Sequence, residues 1–203
     1  MIKIYGNVRS RANRCFWLLA EIGAEYENVD VEFGPGKKKS PEYLKLNPSG
    51  KVPTMVDDKL VLFESIAINL YLAKTYGKDP IWLSDPKQQA LILQWSFWAV
   101  AELEPYVVTM AVERFFKPEP ARDLAKADEA EEIVKQSLPV LEHALQNGQG
   151  VLVGDRFSVA DLNVAAILTG LKLCQFDFSP WPEIQAWLDA ALSRPAYGKA
   201  MGR

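Results

Sequence analysis

Near the amino end the spacing of apolar positions changes every few residues, and each change marks an element. Ile2 and Ile4 alternate with Lys3 and Tyr5, the period of two expected of a half-buried strand. Gly6 and Asn7 break the pattern, Ser10 stands at an N-cap position, and Phe16, Leu18, Leu19 and Ile22 follow with helical spacing up to Gly23. Residues 26–31 alternate again, and strand, helix, strand in this order predicts a right-handed βαβ unit with parallel strands. A Gly-Pro-Gly loop leads into Lys37, Lys38 and Lys39, after which Ser40-Pro41 opens a short helix through Leu46 that Asn47-Pro48-Ser49-Gly50 closes. Beyond Pro53, residues 54–56 and 60–63 read as two strands of a hairpin turning over Asp57, Asp58 and Lys59. Ser65 then starts an apolar helix that stops at Gly77.

Residues 78–87 hold Pro80 and Pro86 among polar side chains and read as a linker, past which the period is helical throughout. Leu91, Trp95, Trp98 and Glu102 form one stripe and Leu93, Phe97 and Val100 another, predicting a long helix over 88–116 that is covered on two sides. Lys117-Pro118-Glu119-Pro120 interrupts it, and a charged helix over 121–146 ends at Asn147-Gly148. In Phe157-Ser158-Val159-Ala160-Asp161-Leu162, Ser158 and Asp161 have the spacing of a capping box, with Phe157 and Leu162 placed as a hydrophobic staple. A last helix is expected over 182–192. The expectation is an α/β domain over 1–77, a linker over 78–87 and an all-helical domain over 88–203.

Composition narrows what such a chain does. With 49% hydrophobic residues in 203, it has enough apolar surface to bury a core. Its 23 basic and 26 acidic residues give a net charge of −3, which offers no electrostatic footprint for nucleic acid or for an anionic membrane. The apolar run over 164–171 is far shorter than the ~20 residues of a bilayer span. Met1-Ile2-Lys3-Ile4-Tyr5 lacks the features of a secretory leader, so a cytoplasmic location is expected. His143, the one histidine, stands in a helical stretch where a surface or packing role is expected, and a single histidine cannot make a paired-histidine metal site; Cys15 and Cys174 are the two cysteines. No metal is expected, and chemistry must come from hydroxyls, backbone amides or a bound small molecule.

Three places offer such groups. The loop over residues 6–13 ends at a helix amino terminus, where free amides and the helix dipole favour an anion. Thioredoxin-like domains carry a redox C-x-x-C there, whereas this chain has Ser10-Arg11-Ala12-Asn13, so disulfide exchange by its own thiols is not expected. Alone, Ser10 reads first as a plain N-cap worth ~1 kcal/mol. A cis Val52-Pro53 bond would turn the Val52 amide and carbonyl toward that loop. At the start of a helix, Glu64 and Ser65 bring a carboxylate, a hydroxyl and an amide able to hold a ligand carboxylate, or simply a cap.

The segments S-R-A-x-R-C, K-S-P-E-Y, N-P-S-G-K-V-P and F-E-S-x-A-I, with S-V-A-D downstream, make the chain resemble a cytosolic glutathione transferase. The wording is closest to phi-type and bacterial serine-type members, and the resemblance covers essentially the whole length. It implies a thioredoxin-like N-terminal domain that binds glutathione as co-substrate, and a helical-bundle C-terminal domain. On the matching positions, Glu64 and Ser65 would contact the γ-glutamyl end. Val52, before a cis Pro53, would clamp the cysteinyl residue, and Lys38, Lys39 and Lys51 would lie near the glycyl carboxylate. Ser10 matches the catalytic serine. Phi-type members, however, usually have one more residue between that serine and the Arg-Cys pair, here Arg14-Cys15, which leaves Tyr5, Arg11 and Asn13 as alternates. Cys15 itself is expected to be packed rather than reactive. Val8, Arg9, Tyr106, Met110, Arg114 and Phe115 would line a pocket for a hydrophobic electrophile, although those on the long helix read equally well as core. The implied activity is conjugation of glutathione thiolate to electrophiles, a detoxification chemistry, by a homodimer. Alternatives are glutathione-dependent peroxide or disulfide reduction, or a non-catalytic protein-interaction module of the same fold.

Overall fold

Ile2 and Ile4 are buried and Lys3 and Tyr5 half-buried along strand β1 (Ile2–Tyr5), so the alternation read in sequence is an alternation across a sheet. The computed structural model describes residues 1–203 except Phe33, Pro35, Lys38, Gln149 and Arg203. The chain falls into two units, Met1–Trp82 together with Ser193–Arg203, and Leu83–Leu192.

In the first unit, α1 (Ala12–Ile22) links β1 to β2 (Tyr26–Val29), and the two strands are parallel. Helix α2 (Pro41–Leu46) precedes the hairpin of β3 (Thr54–Asp57) and β4 (Leu60–Phe63), and α3 (Ser65–Tyr76) closes the set. The described residues form a four-stranded mixed sheet in the order β2-β1-β3-β4, the thioredoxin-like arrangement expected. Ser40 caps α2 by accepting from the Tyr43 amide at 3.1 Å, and Gly23 ends α1 in the left-handed conformation. The Asp57 carboxylate accepts hydroxyls from Tyr71, at 2.8 Å, and Tyr76, tying α3 to the hairpin.

The chain's last helix, α9 (Pro195–Ala200), lies outside the expected elements and belongs to this unit rather than to the helical one. Tyr197 packs edge-on against Trp17 with ring centroids 4.8 Å apart. Arg194 forms a bidentate pair with Glu21, at 2.7 and 2.8 Å.

The second unit is helical: α4 (Pro86–Trp98), α5 (Glu104–Ala111), α6 (Leu124–Asn147), α7 (Val159–Leu173) and α8 (Pro182–Leu192). The helix expected over 88–116 is one helical run interrupted by π turns at Ala99–Leu103 and Val112–Phe116. Pro105 explains the first of these, because its ring nitrogen has no proton for the carbonyl one turn back and the ring crowds that carbonyl. The buried row is Ile92, Trp95, Ser96 and Ala99, which matches neither expected stripe: of Leu91, Trp95, Trp98 and Glu102 only Trp95 is buried, and Leu93, Phe97 and Val100 are exposed in the single chain, contrary to the expected cover on both sides. Helix α7 is buried along most of its length. A Cβ at Gly170 would stand 2.5 Å from Val107 Cγ1, so α7 and α5 approach closely only because that position is glycine.

The capping box is present: Ser158 Oγ accepts from the Ala160 amide at 3.3 Å, and Asp161 returns to the Ser158 amide at 2.9 Å. Asp161 also accepts from the Leu152 amide at 2.9 Å and from Trp187 Nε1 at 3.1 Å, so one carboxylate joins the preceding loop, α7 and α8. Burial pushes its pKa upward, against the pull of those donors. Replacing Asp161 by alanine orphans several buried donors at once. The variant is expected to lose about 2–4 kcal/mol of stability in urea unfolding followed by far-ultraviolet circular dichroism, with Asp161→Asn losing less.

Candidate functional site

The hydrogen-bond register of the sheet sets Tyr5 opposite Thr54, and Thr54 opposite Phe63. The next residues outward, Gly6 after β1, Pro53 before β3 and Glu64 after β4, therefore meet at one edge. Helix α1 starts at the same edge, and so does α3.

Gly6 has φ +142°, and a Cβ there would lie 2.7 Å from Ala12 Cβ, 3.3 Å from Ser10 Oγ and 3.5 Å from Val52 Cβ. Only glycine lets the first loop, α1 and Val52 come this near. Ser10, 7% exposed, is bonded within the loop: Oγ donates to the Asn7 carbonyl at 2.8 Å and accepts from the Ala12 amide at 3.2 Å. A hydroxyl has one proton, and here it faces Asn7. The Asn7 side chain in turn accepts from the Arg9 amide at 3.1 Å and donates to Asp30 at 3.0 Å, anchoring the loop beyond β2. The residue at the N-cap of α1 is Arg11, in helical conformation and without a side-chain cap, rather than Ser10. Ser10 still serves the first helical amide, from one position earlier.

The Val52-Pro53 peptide is cis, as the resemblance implied. The stretch before it is held from α2: the Lys51 carbonyl accepts from the Tyr43 hydroxyl and from Asn47 Nδ2, while Thr54 Oγ1 donates to the Tyr43 oxygen at 2.8 Å and accepts from Asn47 Nδ2 at 3.1 Å. Tyr5 packs its ring on Tyr43 with centroids 5.9 Å apart. The Lys51 side chain is exposed. Lys39 differs: its stem passes 3.5 Å from where a Gly50 Cβ would be, and its Nζ is enclosed with no hydrogen-bond partner among the described residues. Lys38 lies outside the described residues.

Glu64 is exposed and adopts φ +72°, a left-handed conformation that costs a non-glycine residue on the order of 1–3 kcal/mol and is concentrated at ligand sites. It gives α3 no side-chain cap. Ser65 is 4% exposed, and its Oγ accepts from Arg14 Nη1 at 3.2 Å. Its carbonyl receives the Cys15 thiol at 3.8 Å. Burial pushes that thiol up to about 12, with the neighbouring Arg14 charge pulling the other way.

Ser10, Val52, Pro53, Glu64 and Ser65 are thus brought to one edge. Val8, Arg9 and Arg11 are exposed beside it, with Asn13 half-buried. The remaining candidates belong to the second unit, where Met110 is fully enclosed in the core and Arg114 is held by Asp128 at 2.8 Å and Glu131 at 2.7 Å. Tyr106 is half-buried and Phe115 exposed. Two residues of the site carried no role in the sequence reading, Arg14 and Tyr43. For Arg14 a signal existed, since it is a charged residue within the row of positions that α1 buries. Tyr43 had none, because its partners, the Lys51 carbonyl, Thr54 Oγ1 and the Tyr5 ring, are brought to it by the fold.

Comparison with known proteins gives a consistent picture. Residues 1–74 match the model for the glutathione S-transferase N-terminal domain, and residues 103–195 match that for the C-terminal domain. A glutathione S-transferase of Hyoscyamus muticus is 33% identical over 98% of this chain and 97% of its own. The disulfide-bond oxidoreductase YfcG of Escherichia coli is 30% identical over 99% of this chain and 94% of its own. Among solved structures, the theta class glutathione S-transferase of Xanthomonas axonopodis pv. citri, determined with glutathione bound, superposes with a TM-score of 0.90 at 28% identity, covering 100% of this chain and 97% of its own.

The state of the thiols is open to a direct check. A thiol pushed to about 12 is roughly one part in ten thousand thiolate at pH 8, and Cys174, also buried, is shifted in the same direction by burial. An aromatic disulfide reagent is expected to leave both cysteines unmodified in the folded protein over an hour at pH 8 and to label both in denaturant. Rapid labelling of Cys15 in the folded state contradicts its inert packing.

Proposed function

The chain belongs to the glutathione S-transferase family, and from that premise we propose that it binds glutathione at the edge formed by Gly6, Val52, Pro53 and Ser65 and conjugates its thiolate to hydrophobic electrophiles. The observation that carries this reading is Lys39. An enclosed ammonium without a partner costs several kcal/mol, and Lys39 Nζ has none among the described residues. A ligand carboxylate, that of the glycyl end, supplies one. At the opposite end, Ser65 and the uncapped amino terminus of α3 suit a second carboxylate, the γ-glutamyl one. Between them the Val52 backbone pairs with the cysteinyl residue, and Lys51 adds positive charge near the glycyl end. This spacing of anion, peptide and anion is that of a small acidic peptide.

The chemistry required is stabilisation of a thiolate. A free thiol of pKa ~8.5 is mostly protonated at neutral pH, and lowering it by two units takes ~2.7 kcal/mol of preference for the charged form. Ser10 supplies the donor. Its hydroxyl turns from the Asn7 carbonyl toward the sulfur while Oγ keeps the Ala12 amide, and the amino end of α1 adds its dipole. The sulfur lone pair then forms the S–C bond, the leaving group departs with the bonding electrons, and the thiol proton passes to solvent. Val8 and Arg9, exposed on the loop after β1, are the residues we assign to the electrophile. A second reading, thiol-dependent reduction of disulfides or peroxides, is favoured by the likeness to the E. coli disulfide-bond oxidoreductase. It starts from the same thiolate and differs in its product.

Two copies of the chain are proposed to pair through α4 and the π turn after it, where Phe97, 66% exposed, lies uncovered with Leu93 and Val100. The protein's place in the cell follows as a proposal too: among the described residues no helix is long and apolar enough to cross a membrane, and the cytoplasm is where reduced glutathione is at hand.

Titration of thiolate absorbance with bound glutathione tests the mechanism. Ser10→Ala is expected to raise the apparent pKa of the bound thiol by one to two units, which corresponds to about ten- to hundredfold slower conjugation of an aryl halide below neutral pH. Tyr5→Phe is expected to leave both unchanged, and the reverse pattern transfers the role to Tyr5. Absence of glutathione binding in the wild type removes the reading. Sedimentation equilibrium at micromolar concentration is expected to give a dimer for the wild type and a monomer for Phe97→Glu.

A further inference from the structure

We propose that Arg14 is a positioning residue for recognition of the ligand's γ-glutamyl α-carboxylate, acting through the hydroxyl of Ser65; the proposal rests on the glutathione reading above. Arg14 is 7% exposed and lies on the face of α1 that packs toward α3. Its Nη1 is 3.2 Å from Ser65 Oγ. A guanidinium has donors and no acceptor, whereas a hydroxyl has one proton and two lone pairs. The direction of this hydrogen bond is therefore settled by chemistry: Arg14 donates, Ser65 accepts, and the Ser65 proton points to something else.

The surroundings define what that acceptor is. Ser65 is the first residue of α3, whose opening amides have no partner within the helix, and Glu64 contributes no side-chain cap. The Ser65 carbonyl is held at the same time by the thiol of Cys15, the residue next to Arg14 on α1, at 3.8 Å. Adjacent residues of α1 thus fix Ser65 on both its backbone and its side chain. What is left without an assigned acceptor is a hydroxyl proton polarised by a full positive charge, beside the positive end of a twelve-residue helix. That combination complements a carboxylate and disfavours an ammonium or an apolar group. Arg14 does not touch the ligand. It orients the group that does and lends it charge.

Calorimetric titration with two ligands separates this role from mere support of the fold. Glutathione carries the α-carboxylate; γ-aminobutyryl-cysteinylglycine is the same peptide without it. The wild type is expected to prefer glutathione by about tenfold or more, the range for a hydrogen bond to a charged group. Arg14→Gln keeps a donor and removes the charge. It is expected to reduce that preference to within about threefold while changing affinity for the analogue by less than about twofold, and Arg14→Lys is expected to restore part of the preference. Equal weakening of both ligands, or an undiminished preference in Arg14→Gln, overturns the proposal and leaves the glutathione reading standing. Ser65→Ala provides a decision that does not depend on how well an Arg14 variant folds. Without the intermediary hydroxyl the preference is expected to collapse although Arg14 is intact, and its survival overturns the proposal. A wild type that binds neither ligand removes the glutathione reading itself.

Discussion

One row of backbone pairing, Tyr5 with Thr54 and Thr54 with Phe63, governs the rest of the site. Because β3 is antiparallel to both its neighbours, the carboxyl ends of β1 and β4 and the amino end of β3 share an edge. The residues just past that row, Gly6, Pro53 and Glu64, are each unsuited to continuing a strand. Gly6 turns at φ +142°, Pro53 lacks an amide proton and follows a cis bond, and Glu64 sits at φ +72°. The strands stop together, and two helices begin where they stop. A slip of the β1–β3 register by one residue would invert the faces of the strand and part Val52 from Ser10.

The polar groups at that edge fall into those already used and those left over. Ser10, Asn7 and Asp30 satisfy one another, as do Tyr43, Asn47, Thr54 and the Lys51 carbonyl. These networks fix the two loops without an outside group. Lys39 Nζ has no such arrangement among the described residues, and Ser65 accepts from Arg14 in a way that frees its own proton. The division has a physical meaning, since buried polar groups are normally paired. Of the groups assigned to the ligand, Lys39 and Ser65 remain open, whereas Ser10 is closed on Asn7 and serves a ligand only when its hydroxyl turns.

Much of this was legible in the chain because the signals are local. The alternation of Ile2 and Ile4, Ser40-Pro41 before α2, the Ser158 and Asp161 box and the Gly23 stop each act within a few residues, and each element appears where its signal stands. What sequence did not disclose depends on distant parts. Helix α9 is six residues long and is held by Trp17 and Glu21, far away along the chain, so no local pattern marks it. The π turn before Glu104 was signalled only by Pro105 inside an otherwise regular helical pattern. The second apolar stripe of α4 was read as covered, since a pattern reports that a face is apolar and not what lies against it. At the site, the loop residues are legible from helix starts and the Val52-Pro53 pair, and the family likeness joins them into one site, whereas Arg14 is not, because a cation in an apolar helix acquires meaning only when its acceptor, Ser65, is seen across the fold.

The chain's poverty in reactive side chains fits this division of labour. Its cysteines are buried, with Cys15 raised to about 12 by its apolar surroundings, and no group of three or more His, Cys, Asp or Glu among the described residues is arranged to hold a metal. A thiol of that pKa, enclosed behind Ser65, cannot compete with a sulfur presented at the loop in front of it, because thiolate fraction and access both disfavour it. Under the proposed function the nucleophile arrives with the ligand. The protein's part is then electrostatic: cations and helix ends hold the ligand's two charged termini, and a single hydroxyl faces the reacting sulfur. A site of this kind places its discrimination at the ends of the peptide and its reactivity in the middle. Charge at Arg14 and Lys39 therefore bears on which thiol is bound, and the orientation of Ser10 bears on how readily that thiol ionises.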